Sequence, residues 1–348
     1  MKKITLSLFF SSLFLFVNAQ HLRGLADTIG FAHTARQMNI FMERLGINNS
    51  VNQEESFRLL ISPHDDYTYV GPLYPQVLKH VKTKTVILFG VAHKAKKYNL
   101  ENKLIFDDFE AWQGPYKNIK ISPLRKEIMK ALPANSFIVH DSMQVTEHSV
   151  EAILPFLQFY NKDIEIIPIL IPYMSLELMA SLSTQLAKSI EEVANKHKLI
   201  WGKDFSLVIS TDAVHYGDEE WAGRNFARFG TDSTGYKKAV AFEHEIIDNC
   251  LKDDVQFEKI KKFTQYTLKP EDYKEYLWTW CGRYSIPFGM LTAKHLQQDL
   301  KATPLSGQLI GYSNSLDHPH IPVKDLGMGE TAPASLHHWV GYVGMGFK

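Results

Sequence analysis

Apolar residues in this chain fall into two kinds of run. Short unbroken blocks, Leu59-Leu60-Ile61, Thr85-Val86-Ile87-Leu88-Phe89, Glu165 to Ile171 and Ser206-Leu207-Val208-Ile209-Ser210, read as strands buried on both faces. Weaker strand signals lie at 103–106, 136–139, 309–312 and 339–347. Longer stretches with apolar positions three and four apart read as helices over 21–45, 74–81, 124–132, 176–198, 236–251, 271–281 and 286–300. Gly46 closes the first of these, and Gly282 suits the position after the 271–281 helix. Strands alternating with helices predict an α/β fold, a central mixed and largely parallel sheet with helices on both faces. No repeat or linker divides residues 20–348, so one domain is expected.

The polar residues just past each apolar block matter more than the block. Leu59-Leu60-Ile61 runs into Ser62-Pro63-His64-Asp65-Asp66-Tyr67, the second block into Gly90-Val91-Ala92-His93, and the fourth into Thr211-Asp212-Ala213-Val214-His215. Thr146 is a plausible N-cap with Glu147 in the first turn, which sets His148 at a helix start. Strand ends gather at one edge of a parallel sheet. Among 15 histidines, this rule selects His64, His93, His148 and His215, with Asp212 beside them. Taken singly, each is better read as a structural histidine with its hydrogen bonds met. Together they predict one metal site. The interval from His64 to His93 is too long for a local zinc motif, so spacing adds little.

Cys281 closes a Trp-Thr-Trp-Cys-Gly-Arg turn. As a thiolate it is a soft ligand suited to iron, copper or zinc; as a thiol it is a small buried hydrophobe. Asp212 and His215 are candidates for proton transfer. Arg283 either orients an anionic substrate or makes a surface pair. His318-Pro319-His320 reads as a solvated loop, and Cys250 and His244 as structural. No nucleophile elbow, dinucleotide fingerprint or phosphate loop is present.

Composition narrows the partners. Lys and Arg total 38, as do Asp and Glu, which gives no global field for nucleic acid or an anionic membrane. Lys2 and Lys3 precede an apolar run over 4–17, and Val17-Asn18-Ala19 offers a cleavage site before Gln20. Residues 1–19 therefore read as a secretory signal, and the mature protein as periplasmic or extracellular, off the membrane after cleavage. An oxidising compartment permits a bridge between the two cysteines, Cys250 and Cys281, without requiring it.

Five ordered motifs then resemble one family. They are Ser62-Pro63-His64 with Tyr67-Thr68-Tyr69-Val70-Gly71, Phe89-Gly90-Val91-Ala92-His93, Glu147-His148-Ser149-Val150-Glu151, Ser210-Thr211-Asp212-Ala213-Val214-His215-Tyr216-Gly217, and Cys281-Gly282-Arg283. They resemble the Memo family, also called the AmmeMemoRadiSam system protein B family, over nearly all of the mature chain. The resemblance implies a fold like that of class III extradiol dioxygenases. By analogy, His64, His93 and Cys281 look like ligands of iron(II), with copper or zinc as alternatives, and His148, Asp212 and His215 look like the polar shell. The cysteine stands where extradiol enzymes have a carboxylate. Asp65 and Asp66 depart from the family's small residues and are expected to face solvent. Most relatives are cytosolic, encoded beside a radical SAM enzyme and an AMMECR-type protein; an exported copy does not easily share those partners. The implied function is a mononuclear iron(II) enzyme with redox or dioxygenase-like activity on a small molecule. Nearby tyrosines and Trp278 or Trp280 would wall its pocket. The alternative is a module that binds a peptide or small anion in the same cleft.

Overall fold

Strands that must bury both faces need helices on both sides, and the chain supplies them. The computed structural model describes residues 21–47, 56–317 and 319–348; the expected signal over 1–19 and His318 lie outside the described residues. Four parallel strands form the centre, in the spatial order Glu165–Ile171, Thr85–Val91, Phe205–Ser210, Leu59–Ser62. His338–Phe347 runs antiparallel beside Leu59–Ser62, and Ser306–Asn314 runs antiparallel beside it. The sheet is thus mixed but parallel at its core.

Side chains alternate across the strands and build two separate cores. Leu59, Ile61, Ile87, Phe89, Ile167, Leu207 and Ile209 face the helices Leu176–His197, Ser233–Cys250 and Ser285–Asp299. Leu60, Val86, Leu88, Ile166, Leu170 and Val208 face Ala35–Arg44, Leu73–Leu78 and Leu154–Tyr160. Among the described residues no helix is long and apolar enough to cross a membrane.

Three local expectations are corrected. The helix expected over 21–45 is only Ala35–Arg44, started by a Thr34–Gln37 capping box; Leu22–Arg23 is an edge strand paired with Ala111–Trp112. Residues 271–281 are not helical: Asp272–Tyr276 pairs with Leu268–Lys269, and the aromatic run beyond it is held by tertiary contacts. Gly282 is therefore no helix cap. A Cβ there would lie 2.0 Å from Thr211 Oγ1, so close approach requires the glycine. Thr146 ends the Asp141–Val145 helix, which His140 caps, rather than starting one.

Candidate metal centre

Sheet register brings the first pair together. Ser62 lies opposite Ser210, so His64 and Asp212 each stand two residues beyond the same rung. The His64 amide donates to Asp212 Oδ1 at 2.8 Å, and Asp212 Oδ2 lies 3.4 Å from His64 Nε2. His64 Nδ1 meets Ser210 Oγ at 3.0 Å. Ser210 gives its own proton to the Ser149 carbonyl, so it accepts from His64. The proton of neutral His64 thus sits on Nδ1 and the lone pair on Nε2. Cys281 Sγ lies 3.6 Å from that Nε2 and accepts from the Asp212 amide at 3.1 Å.

The Thr85–Val91 strand delivers His93 by the same logic, two residues past its end. The His93 amide donates to Glu147 Oε2 at 2.7 Å and its Nδ1 meets Oε1 at 2.8 Å. An ionised carboxylate only accepts, so Nδ1 carries the proton and Nε2 is left as a donor to a cation. Glu147 also receives the amides of His148 and Ser149 at 3.0 and 3.1 Å. The His148 ring stacks on His93 with centroids 4.9 Å apart. Both rings stand edge-on to His64, at 5.2 Å for His93 and 5.6 Å for His148.

His215 opens the short His215–Gly217 strand, paired with His338–Phe347. Its Nε2 is buried and makes no hydrogen bond. His338 Nε2 is in the same condition, while its Nδ1 bonds the Glu219 carbonyl and Trp221 stacks on its ring at 4.0 Å.

Burial dominates the electrostatics. It holds His64 well below the ordinary imidazole range, with the charges of His93 and His148 acting in the same direction. Burial, then His93, brings His148 down to about 4 and His215 to about 3. Burial pushes Asp212 and Cys281 upward, reinforced by Asp65 and by Asp212 respectively. Burial alone would raise Glu147 too; the charge and hydrogen bond of His93 overcome it and set Glu147 at about 2. Without a cation, burial favours the neutral forms of His64, His148 and His215, the thiol of Cys281 and the protonated acid of Asp212, while Glu147 stays ionised.

Such donors fit a transition-metal ion. The ligand atoms of His64, His93 and His148 lie within 4.8 Å of one another, as do those of His64, Asp212 and Cys281. His64 belongs to both groups; His93 and Cys281 each belong to one. Both cysteines are free thiols, so no bridge withholds Cys281.

With this geometry in place, comparison with known proteins is direct. The sequence profile of the Memo-like protein family matches residues 30–325. The chain belongs to the Memo-like family. Among its relatives, a MEMO1 family protein of Pyrobaculum aerophilum is 26% identical over 165 residues, 46% of this chain and 56% of the relative. One from Aquifex aeolicus is 29% identical over 168 residues, 47% and 57%. One from Thermotoga maritima is 27% identical over 165 residues, 46% and 54%. The chain thus matches little more than half the length of these curated relatives.

This Memo-like site differs from expectation in its surroundings. Asp66 is buried, not solvated, and binds the Thr331 amide and hydroxyl; burial and the Asp65 charge lift it to about 8. Asp65 accepts from Tyr342 Oη at 2.8 Å. Asp212 engages His64 and Cys281. Trp278 and Trp280 are buried, with both indoles on Glu243 Oε1 at 2.6 Å. Tyr67 and Tyr69 are also buried, their hydroxyls on the carbonyls of Ala152 and Ala332. Sequence reasoning missed Ser210 and Glu147 as partners of the histidines, and Glu243 altogether. Only Glu147 carried a signal, its place next to His148.

Proposed function

We propose that this chain holds one redox-active metal ion, iron(II) first, through His64, His93 and Cys281, and works as a redox or dioxygenase-like enzyme on a small molecule. One observation carries the reading. Two histidines have Nδ1 held by a hydroxyl and a carboxylate, which presents Nε2 of each as a lone pair, and a thiol lies 3.6 Å from one of them. A protein that fixes imidazole tautomers in a buried cluster has prepared them as ligands.

Two imidazoles and one anionic sulfur leave coordination positions for a small molecule. Bound there, the ion supplies Lewis acidity and an electron source. The protein's own groups do the rest. Glu147 orients His93 and Ser210 orients His64. Asp212 lies 3.4 Å from His64 Nε2, within reach of a proton carried by a molecule beside it. His148, stacked on His93, and His215, whose buried Nε2 makes no hydrogen bond, are the candidate bases. Export rests on the pattern at 1–19 and is part of the same proposal.

The test is anaerobic purification, metal analysis and oxygen uptake with catechols and thiols. Stoichiometric iron with turnover supports the enzyme. Retained metal with no turnover supports the alternative, a peptide- or anion-binding module, and zinc in place of iron favours hydrolysis. Cys281→Ser and His64→Ala are each expected to lose most of the metal while keeping the native circular-dichroism spectrum. Full occupancy in either variant removes that residue from the ligand set.

A further inference from the structure

Among the described residues three arginines are buried, and they are not treated alike. Arg23 lies against Glu151 and Arg125 against Asp107, each a buried guanidinium on a buried carboxylate. Arg283 is only 5% exposed, yet among the described residues no carboxylate stands within ion-pair reach of it. Its guanidinium lies 3.5 Å from the Tyr276 ring centroid, 4.7 Å from Tyr284 and 5.6 Å from Tyr173. Nη2 reaches the Lys274 carbonyl at a long 3.4 Å, and Nε is buried without a hydrogen bond. Phenol faces recover part of the hydration lost by a buried cation. A counter-ion recovers more, and the described residues supply no carboxylate for it.

Arg283 also lines a cleft of about 420 Å³. The cations on its wall are Lys96, Arg224, Lys274 and Arg283; the carboxylates are Glu101 and Glu275, an excess of two positive charges. Lys274 is paired with Glu101 at 2.5 Å and Arg224 with Glu275 at 3.6 Å. The excess therefore rests on Arg283 and on Lys96, which is exposed. Tyr173 and Tyr276 add aromatic wall. The cleft belongs to the edge that carries the metal centre. Arg283 is two residues past Cys281, Tyr173 two past the Glu165–Ile171 strand, and Lys96 three past His93.

We propose that this cleft is a substrate subsite in which Arg283 receives the oxyanion, a carboxylate or phosphate ester, of a small organic molecule whose body lies against Tyr173 and Tyr276. It deepens the metal-enzyme reading and rests on it for the claim that the bound molecule is a substrate. The planar fork of arginine suits either oxyanion in a two-point contact, and its aromatic packing holds the fork in place.

The test titrates the full mature chain with benzoate and with phenyl phosphate by calorimetry, in metal-loaded and metal-stripped forms. One-to-one binding of at least one probe is expected in both forms, because the anion contacts need no metal. Binding weakens as sodium chloride rises from about 50 to 500 mM. Arg283→Gln is expected to weaken it tenfold or more, and Arg283→Lys, which keeps the charge but not the fork, to fall between. Preference for one probe identifies the oxyanion. Should Arg283→Gln not fold, Lys96→Gln, on the exposed rim, is expected to weaken binding severalfold and serves instead. The proposal is overturned if neither probe binds at 10 mM, or if the variants bind as the parent does. Metal analysis alone judges the metal reading, so a chain without metal that still binds the anion separates the two outcomes.

Discussion

Glu147 shows how much one side chain can decide. Its two oxygens take the amide and ring Nδ1 of His93 and the amides of His148 and Ser149, and it is almost fully buried. Those bonds choose the tautomer of His93 and fix the loop that carries His148. Glu147→Gln turns one acceptor into a donor that faces N–H groups. The expected result is a loss of roughly 10- to 100-fold in metal affinity, typical for partners of metal-binding histidines. Competition against a chelator of known affinity measures it; an unchanged constant would make Glu147 only a loop anchor. At this scale the primary structure is least informative. Nothing in Thr146-Glu147-His148 says that the carboxylate serves a histidine 54 positions earlier.

Among the elements, the Ser233–Cys250 helix does more than cover the sheet. From it, Glu243 reaches into the interior, fully buried, and accepts from Trp278 Nε1, Trp280 Nε1 and the Val214 amide. One carboxylate therefore ties the turn leading to Cys281 to the loop between Asp212 and His215, beside a bridge joining Val214 and Trp280. This is why residues 271–281 do not form the helix their spacing predicts: two buried indoles demand a shared acceptor that only another element provides. Glu243→Ala leaves three buried donors unpaired and is expected to cost about 3 kcal/mol or more, read from urea unfolding. A loss below about 1 kcal/mol would contradict it. Burial raises Glu243 to about 7. The folded state keeps a proton that the unfolded chain releases near 4.5, so this group's contribution is full below that pH and fades as pH rises through 7. Relative to the parent, Glu243→Gln should flatten the fall of stability across that window.

For the molecule as a whole, the candidate ligand groups come from segments spread between residues 64 and 281, so a metal bound there would be thermodynamically linked to the fold. Ligands must give up protons to bind, and the thiol of Cys281 is held protonated by burial when no cation is present. Binding to the folded chain alone stabilises it by about 2.7 kcal/mol at an ion concentration one hundred times Kd. Stripping the metal should lower the calorimetric melting temperature, and reloading should restore it. Identical transitions with and without metal would mean that no ion binds the native state.

The strands were legible because they are buried on both faces, and unbroken apolar blocks have few other uses. Leu59–Ser62, Thr85–Val91, Glu165–Ile171 and Phe205–Ser210 lie where those blocks do, and the polar residues just past three of them form the candidate metal site. That much is local, since an apolar run and the turn that ends it are properties of neighbours in the chain. Which polar groups face each other is not local. The pairing of Ser62 with Ser210 sets His64 beside Asp212, the buried Asp66 meets Thr331, and the lack of a carboxylate beside Arg283 among the described residues is visible only in three dimensions. Periodicity carries the burial pattern, while register and packing between distant segments select the partners, because hydrogen bonds and charges act across a few ångströms of space whatever their separation along the chain.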